Sequence, residues 1–123
     1  MDNKSGAFIN FSNHPSALWE AAQVKAAEAY GTGIIDILFP QVDPAADEED
    51  VSAVAEKKAA EILSLNPAAV MCQGEFGLSY SVIRRLQDAG VPVLHACSER
   101  NVHTVGDTKT VRFEFVRFRK YQE

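Results

Sequence analysis

The sequence predicts an α/β fold, with a mostly parallel sheet of four to five strands and helices on both faces. Three observations carry this. Short apolar runs alternate with longer stretches whose apolar residues recur at helical spacing, in the order βαβαβαβ and then a last β. Glycine, proline or asparagine stands at each junction. Polar loops rich in Ser, Asn, His, Gln and Glu follow the strand-like runs directly, and ligands of open α/β sheets bind outside the carboxyl ends of the strands.

Ala7 to Phe11 reads as a first strand buried on both faces, because its apolar run is nearly continuous. Ser16 is placed to cap the helix that follows, with Glu20 in its first turn. Trp19, Ala22, Ala26 and Tyr30 recur at helical spacing, and Gly31 stops that helix. Ile34 to Leu38 is the second strand, followed by a Pro-punctuated loop from Phe39 to Pro44. Asp47 caps the next helix and Asp50 resembles the other half of a capping box. Val51, Ala55, Ala59 and Ile62 form its buried stripe, and Asn66-Pro67 ends it. Ala69 to Cys72 is the third strand, and Gly74 and Gly77 bracket a tight turn into a helix built on Leu78, Val82, Ile83 and Leu86. Val91 to Ala96 is the fourth strand. Val111, Phe113 and Phe115 then alternate with charged residues, and the apolar side switches to Val116 and Phe118, which predicts a bulge or an edge meeting a second surface. Val102 to Thr110, with Gly106-Asp107, is a turn or flap before that strand. The whole is one Rossmann-like three-layer sandwich over residues 1–123, with 102–123 a terminal loop and strand extension. The spatial order 2-1-3-4 would set the loops after strands one and three side by side; 3-2-1-4 stays open.

A chain of 123 residues, 46% hydrophobic, can bury one core. It has no run of about 18 apolar residues, and Met1 to Gly6 lack the apolar centre of a signal peptide, so the expectation is a cytoplasmic protein with no membrane contact. Cys72 and Cys97 give no zinc spacing, and no metal or cofactor is expected. Arg100 follows Cys97 too closely for the phosphate-wrapping loop of a tyrosine phosphatase. A net charge of -5 argues against a duplex nucleic-acid binder. The charge is uneven, with acids gathered between Asp43 and Glu61, and Arg100, Lys109, Arg112, Arg117, Arg119 and Lys120 in the last third. A small anion needs only such a local field.

Three loops could hold it. Ser12-Asn13-His14-Pro15-Ser16 places hydroxyls, an amide and an imidazole before a helix N-terminus, where free N–H groups receive phosphate; plain capping by Ser16 is the alternative. In Gln73-Gly74-Glu75-Phe76-Gly77, the Gln73 amide can read a base or a ribose, and Gly74 allows close approach. Glu75 complements the helix dipole or touches ligand, and Phe76 packs in the core or stacks on a base. In Cys97-Ser98-Glu99-Arg100, Arg100 offers a fork suited to phosphate or pairs with a neighbouring acid, while Ser98 contacts ligand or only caps a turn. His95, inside a strand, reads as a core imidazole. No Ser-His-Asp order and no paired catalytic carboxylates emerge. A reaction here would have to bring its own nucleophile, as when a ribose 2′-hydroxyl attacks its adjacent phosphodiester and the protein supplies alignment and hydrogen-bond donors.

The first strand ending in Asn10-Phe11-Ser12, followed by Asn13, His14-Pro15 and a helix, resembles the small stand-alone CRISPR-associated Rossmann-like proteins of type III systems, relatives of CARF domains that include ring nucleases. The resemblance implies a homodimer that binds cyclic oligoadenylate, often cyclic tetra-adenylate, across its two-fold axis. It also implies metal-independent linearisation of the ring by 2′-hydroxyl attack, which switches off antiviral signalling. By position, Ser12 and His14 would be the catalytic pair, with Asn10, Asn13, Ser16, Gln73, Gly74 and Glu75 around the ligand. Ser98 and Arg100 join that set from chemistry alone. Asn13 reads as an insertion relative to a tighter Ser-His-Pro version. The rivals are a non-catalytic sensor or sequestering protein for the same ligand, and a nucleoside deoxyribosyltransferase-like enzyme with Glu75 as its nucleophile.

Overall fold

The computed structural model describes residues 6–122. Met1 to Ser5, most of the stretch read above for a leader, and Glu123 lie outside the described residues. The elements are β1 (Phe8–Ser12), α1 (Ala21–Glu28), β2 (Ile34–Leu38), α2 (Glu48–Leu63), β3 (Ala69–Cys72), α3 (Phe76–Asp88), β4 (Val93–Val105) and β5 (Thr108–Lys120). They form one five-stranded sheet in the order β2-β1-β3-β4-β5. The first four strands are parallel and β5 runs antiparallel to β4. This is the Rossmann-like α/β sandwich with the 2-1-3-4 order at its centre. Among the described residues, no helix is long and apolar enough to cross a membrane.

β1 is apolar almost throughout because it is central, with β2 and β3 on either side and a helical layer on each face. Its Ile9 and Phe11 enter a core shared with Ala55, Ala59 and Ile62 of α2 and Leu78, Val82 and Leu86 of α3. Its Phe8 enters a second core with Ala27 of α1, Met71, Leu94 and Phe118. The two-residue period of a strand therefore puts Asn10 and Ser12 on the α1 face with Phe8. Both capping-box bonds of α2 are made, between Asp47 and Asp50.

Two expectations about local structure are corrected. Ser16 does not cap α1. It opens a single 3-10 turn, Ser16–Leu18, and α1 begins only at Ala21, with Glu20 at its N-cap and Trp19 in the gap. The reason is competition: the Ser16 N–H is drawn to the Asp36 carboxylate (3.1 Å), and Trp19 turns edge-on to Phe8 (6.2 Å between centroids). Glu20 in turn reaches across to accept the N–H of Phe115 at 2.8 Å, which ties β5 to α1.

The second correction concerns residues 97–110. They are neither a loop nor a flap. β4 runs on to Val105, and only Gly106-Asp107 turns the chain. Gly106, at φ +60°, takes the first central position as a II′-type hairpin turn requires. Strand pairing continues without a break from Ser98 opposite Phe115 to Val105 opposite Thr108, so partner backbone rather than apolar side chains makes these residues a strand. The expected bulge is present: Cys97 faces Arg117 and Ser98 faces Phe115, leaving Val116 as the extra residue.

Candidate functional site

The loop after β1 is built from beneath. Asn10 is 1% exposed, and its amide donates to the His14 carbonyl (2.8 Å) and to Asp36 Oδ1 (3.0 Å). The Ser12 hydroxyl donates to Asn10 Oδ1 (2.7 Å) and accepts the His14 N–H (3.1 Å). The Trp19 indole donates to the same His14 carbonyl (3.1 Å). Asn10 and Ser12 are therefore spent on holding the loop's shape, and Ser12, 4% exposed, turns its hydroxyl inward. Ser16 gives its N–H to Asp36, so the place where a phosphate would meet this turn already holds a carboxylate. Asp36 was absent from the sequence reading. Its signal was a lone acid inside an apolar strand that pairs with Asn10. What the loop presents outward is Asn13 and His14.

The loop after β3 is ordered in the same way. Glu75 caps α3, its Oε1 accepting the Leu78 N–H at 2.7 Å, so this helix start is also neutralised internally. The Gln73 side chain accepts the Ala96 N–H, and the Gln73 N–H donates to the Phe11 carbonyl (3.2 Å), which locks the loop to β1 and β4. Gly74 is required by packing: a Cβ there would lie 2.5 Å from the Phe39 ring, which is buried against Phe11 (4.7 Å). Gly74→Ala is expected to cost about 1–3 kcal/mol through this overpacking, read as a lower urea midpoint.

The two loops meet at one open cleft of about 1290 Å³. Asn13 and His14 line one side, and Gln73 and Gly74 the base. Phe76, Ser79, Tyr80, Arg84 and Gln87 line the other along α3, with His95 and Tyr121 at the far end. Beyond Phe76, read above as core or as a base-stacking ring, the sequence reading missed the α3 side. Phe76, Tyr80 and Arg84 stand four apart, one above another on the helix. They lie off the Leu78-Val82-Ile83-Leu86 stripe, which was the available signal. Phe76 is 92% exposed and does not pack in the core. Arg84 donates to the Tyr80 hydroxyl at 3.3 Å, with its guanidinium 6.0 Å from that ring. His95 is half-buried and packs at a tilt against Tyr121 (4.8 Å between centroids). Ser98 and Arg100 do not line the cleft; they lie on the exposed hairpin, because β4 continues past it. Among the described residues, no Asp or Glu lines the cleft and no three metal-ligating side chains come together.

Beneath the cleft the Tyr121 hydroxyl donates to the Cys72 carbonyl at 2.8 Å, and the Tyr121 carbonyl accepts from Gln87 at 3.1 Å. Burial pushes the Cys72 thiol up to about 12, with Ser79 beside it working the other way. Burial, and then the neighbouring Cys72, push Tyr121 up to about 12 as well. Both groups are acids held neutral by the fold. The unfolded chain releases their protons first, so their stabilisation is intact below about pH 9 and is lost as pH rises towards 12. Urea midpoints should therefore fall as pH rises from about 9 towards 12, and Cys72→Ala should flatten the fall.

A mostly parallel sheet with helices on both faces and a cleft across the carboxyl ends of β1 and β3 defines a Rossmann-like domain with an open cleft at its topological switch point. The chain belongs to the family described as Uncharacterized protein MJ1673 family, whose model matches residues 6–119. No curated protein matches it.

Proposed function

We propose that the cleft binds cyclic oligoadenylate and thereby withdraws it from type III antiviral signalling. The observation that carries this reading is the cleft's chemistry. In a chain with 17 acidic residues, the lining among the described residues has none; it has two exposed aromatic rings, one arginine, two histidines and several amides. Phe76 and Tyr80 suit base stacking, Arg84 suits a phosphate, and Gln73, Gln87 and Asn13 suit adenine edges and ribose hydroxyls. The resemblance of Asn10 to Pro15 to the small CRISPR-associated proteins implies a cyclic oligoadenylate as that ligand. Its phosphates would meet no carboxylate on that lining.

Binding is the first reading because Ser12 is committed to the loop beneath. Glu75 is committed to its helix, which leaves no nucleophile for glycosyl transfer. Linearisation is the second reading, favoured by His14 on the cleft wall, where an imidazole could stabilise an attacking ribose hydroxyl. Calorimetry with cyclic tetra-adenylate tests the first. Tyr80→Ala should weaken binding roughly 5- to 150-fold, from about 1–3 kcal/mol of stacking. Arg84→Gln should weaken it too and reduce its salt dependence. No heat and no competition at micromolar protein would sink the proposal. Incubation with excess chelator tests the second: linear products that vanish in His14→Ala but persist in Ser12→Ala would support it.

A further inference from the structure

A second cavity, of about 490 Å³, opens beside the end of β5. Arg117, Arg119 and Lys120 line it, and so do His95, Tyr121 and Gln122, which also line the cleft. The two cavities therefore share a wall. Strand register places the cations. Arg119 lies opposite His95 and Arg117 opposite Cys97, so the alternation along β4 and β5 puts both arginines on the face that carries His95. This is the α3 side, since Val93 enters the core shared with α2 and α3, and Leu94 enters the other. Lys120 lies opposite Leu94, on the other face, and borders the same cavity around the open edge of β5, the last strand of the sheet.

These cations are left over by folding. The side chains of Arg119 and Lys120 make no hydrogen bond or ion pair with any described residue. Arg117 donates from Nε to the Phe118 carbonyl at 2.9 Å, which steadies the guanidinium and leaves its two Nη groups unused. Among the described residues, no Asp or Glu lines the cavity. Glu99 and Glu114 lie further along the hairpin, where Glu114 is engaged by Asn101, and Glu20 is spent on the Phe115 N–H. In a chain of net charge -5, three uncompensated cations around one cavity repel one another until an anion joins them. We infer that this cavity takes a phosphate group, held by the forks of Arg117 and Arg119. A free polyphosphate offers the same chemistry, but the shared His95-Tyr121 wall favours a phosphate of the ligand that lies in the cleft. In this respect the inference rests on the cleft reading and deepens it. With Arg84 in the cleft and the two arginines beyond the wall, the ligand carries several phosphates, as an oligonucleotide does and a nucleoside monophosphate does not.

The test is calorimetry on the full chain with two probes, cyclic tetra-adenylate and tripolyphosphate, with folding of each variant checked by circular dichroism. Arg117→Gln/Arg119→Gln should weaken the ring about 10- to 150-fold, as expected when hydrogen bonds to a charged group are lost. The slope of log K on log salt should fall by about 0.7, one phosphate's share on a single strand. Lys109→Gln/Arg112→Gln removes the same charge from residues that line neither cavity, and should bind the ring as wild type does. Arg117→Lys/Arg119→Lys should recover part of the affinity. Equal binding by wild type and Arg117→Gln/Arg119→Gln, or equal weakening in Lys109→Gln/Arg112→Gln, would overturn the inference and leave the cleft reading standing. If wild type binds no ring, the cleft reading fails and tripolyphosphate decides. Binding that is lost in Arg117→Gln/Arg119→Gln would uphold the phosphate site with a free anion as its source, and no binding would overturn it.

Discussion

Phe118→Ala should lower the unfolding free energy by about 3–5 kcal/mol, a large share of the roughly 5–15 kcal/mol of a small domain. Phe118 is the point at which the hairpin is fastened to the domain. Its ring lies 5.0 Å from Phe8 and 5.0 Å from Phe115, with Trp19 at 6.2 Å and Tyr30 at 6.4 Å. Truncation removes the centre of this cluster, and the surrounding rings sit on β1, on β5 and in the segments flanking α1, which cannot all collapse into the gap. Urea unfolding gives the magnitude. Hydrogen exchange gives the location: amides of β5 and the outer half of β4 should lose protection before those of β1 and β3. A loss under 1 kcal/mol, or uniform loss of protection, would show that the cluster does not anchor the hairpin.

Asn10→Ala should cost about 2–4 kcal/mol. Removing one member of a buried polar network leaves its partners unpaired, at about 1–3 kcal/mol for each strongly desolvated group. Here the Ser12 hydroxyl loses its acceptor, the His14 carbonyl loses its closest donor, and the Asp36 carboxylate loses its side-chain donor. Ser12→Ala alone should cost about 1 kcal/mol, and the double variant should cost less than the sum, since the two residues serve one loop. The same change should weaken ligand binding without touching ligand, because Asn13 and His14 would lose their fixed position. Equal affinity of Asn10→Ala and wild type would show that the loop after β1 is not part of the site.

How far the sequence carried depends on the range of the forces involved. The apolar run of β1, the stripes of α2 and α3, the Asp47 capping box and the bulge at Val116 were legible because each is set within about ten residues. The cleft's position was partly legible: right-handed crossovers left two strand orders open, and of these 2-1-3-4 sets the loops after β1 and β3 side by side. The roles inside it were not. Ser12, Ser16 and Glu75 have the chemistry of ligand contacts, and only their partners reveal internal use. Phe76 looked like core because helical period alone does not say which side of a helix meets a sheet when the stripe is wide.

By itself the sequence determined the α/β class, the order of elements and the placing of polar loops directly after the strands, since hydrophobic period and turn chemistry act locally. The tertiary structure decided where charge and hydrogen-bonding capacity are left over. Asp36 meets the Ser16 N–H across 20 residues, and Glu20 meets Phe115 across 95. Such long-range pairs consume groups that look available in the chain and leave others, Tyr80, Arg84 and Phe113 among them, facing outward. A site consists of what folding has left unsatisfied, and that remainder is fixed only when every element has found its neighbours.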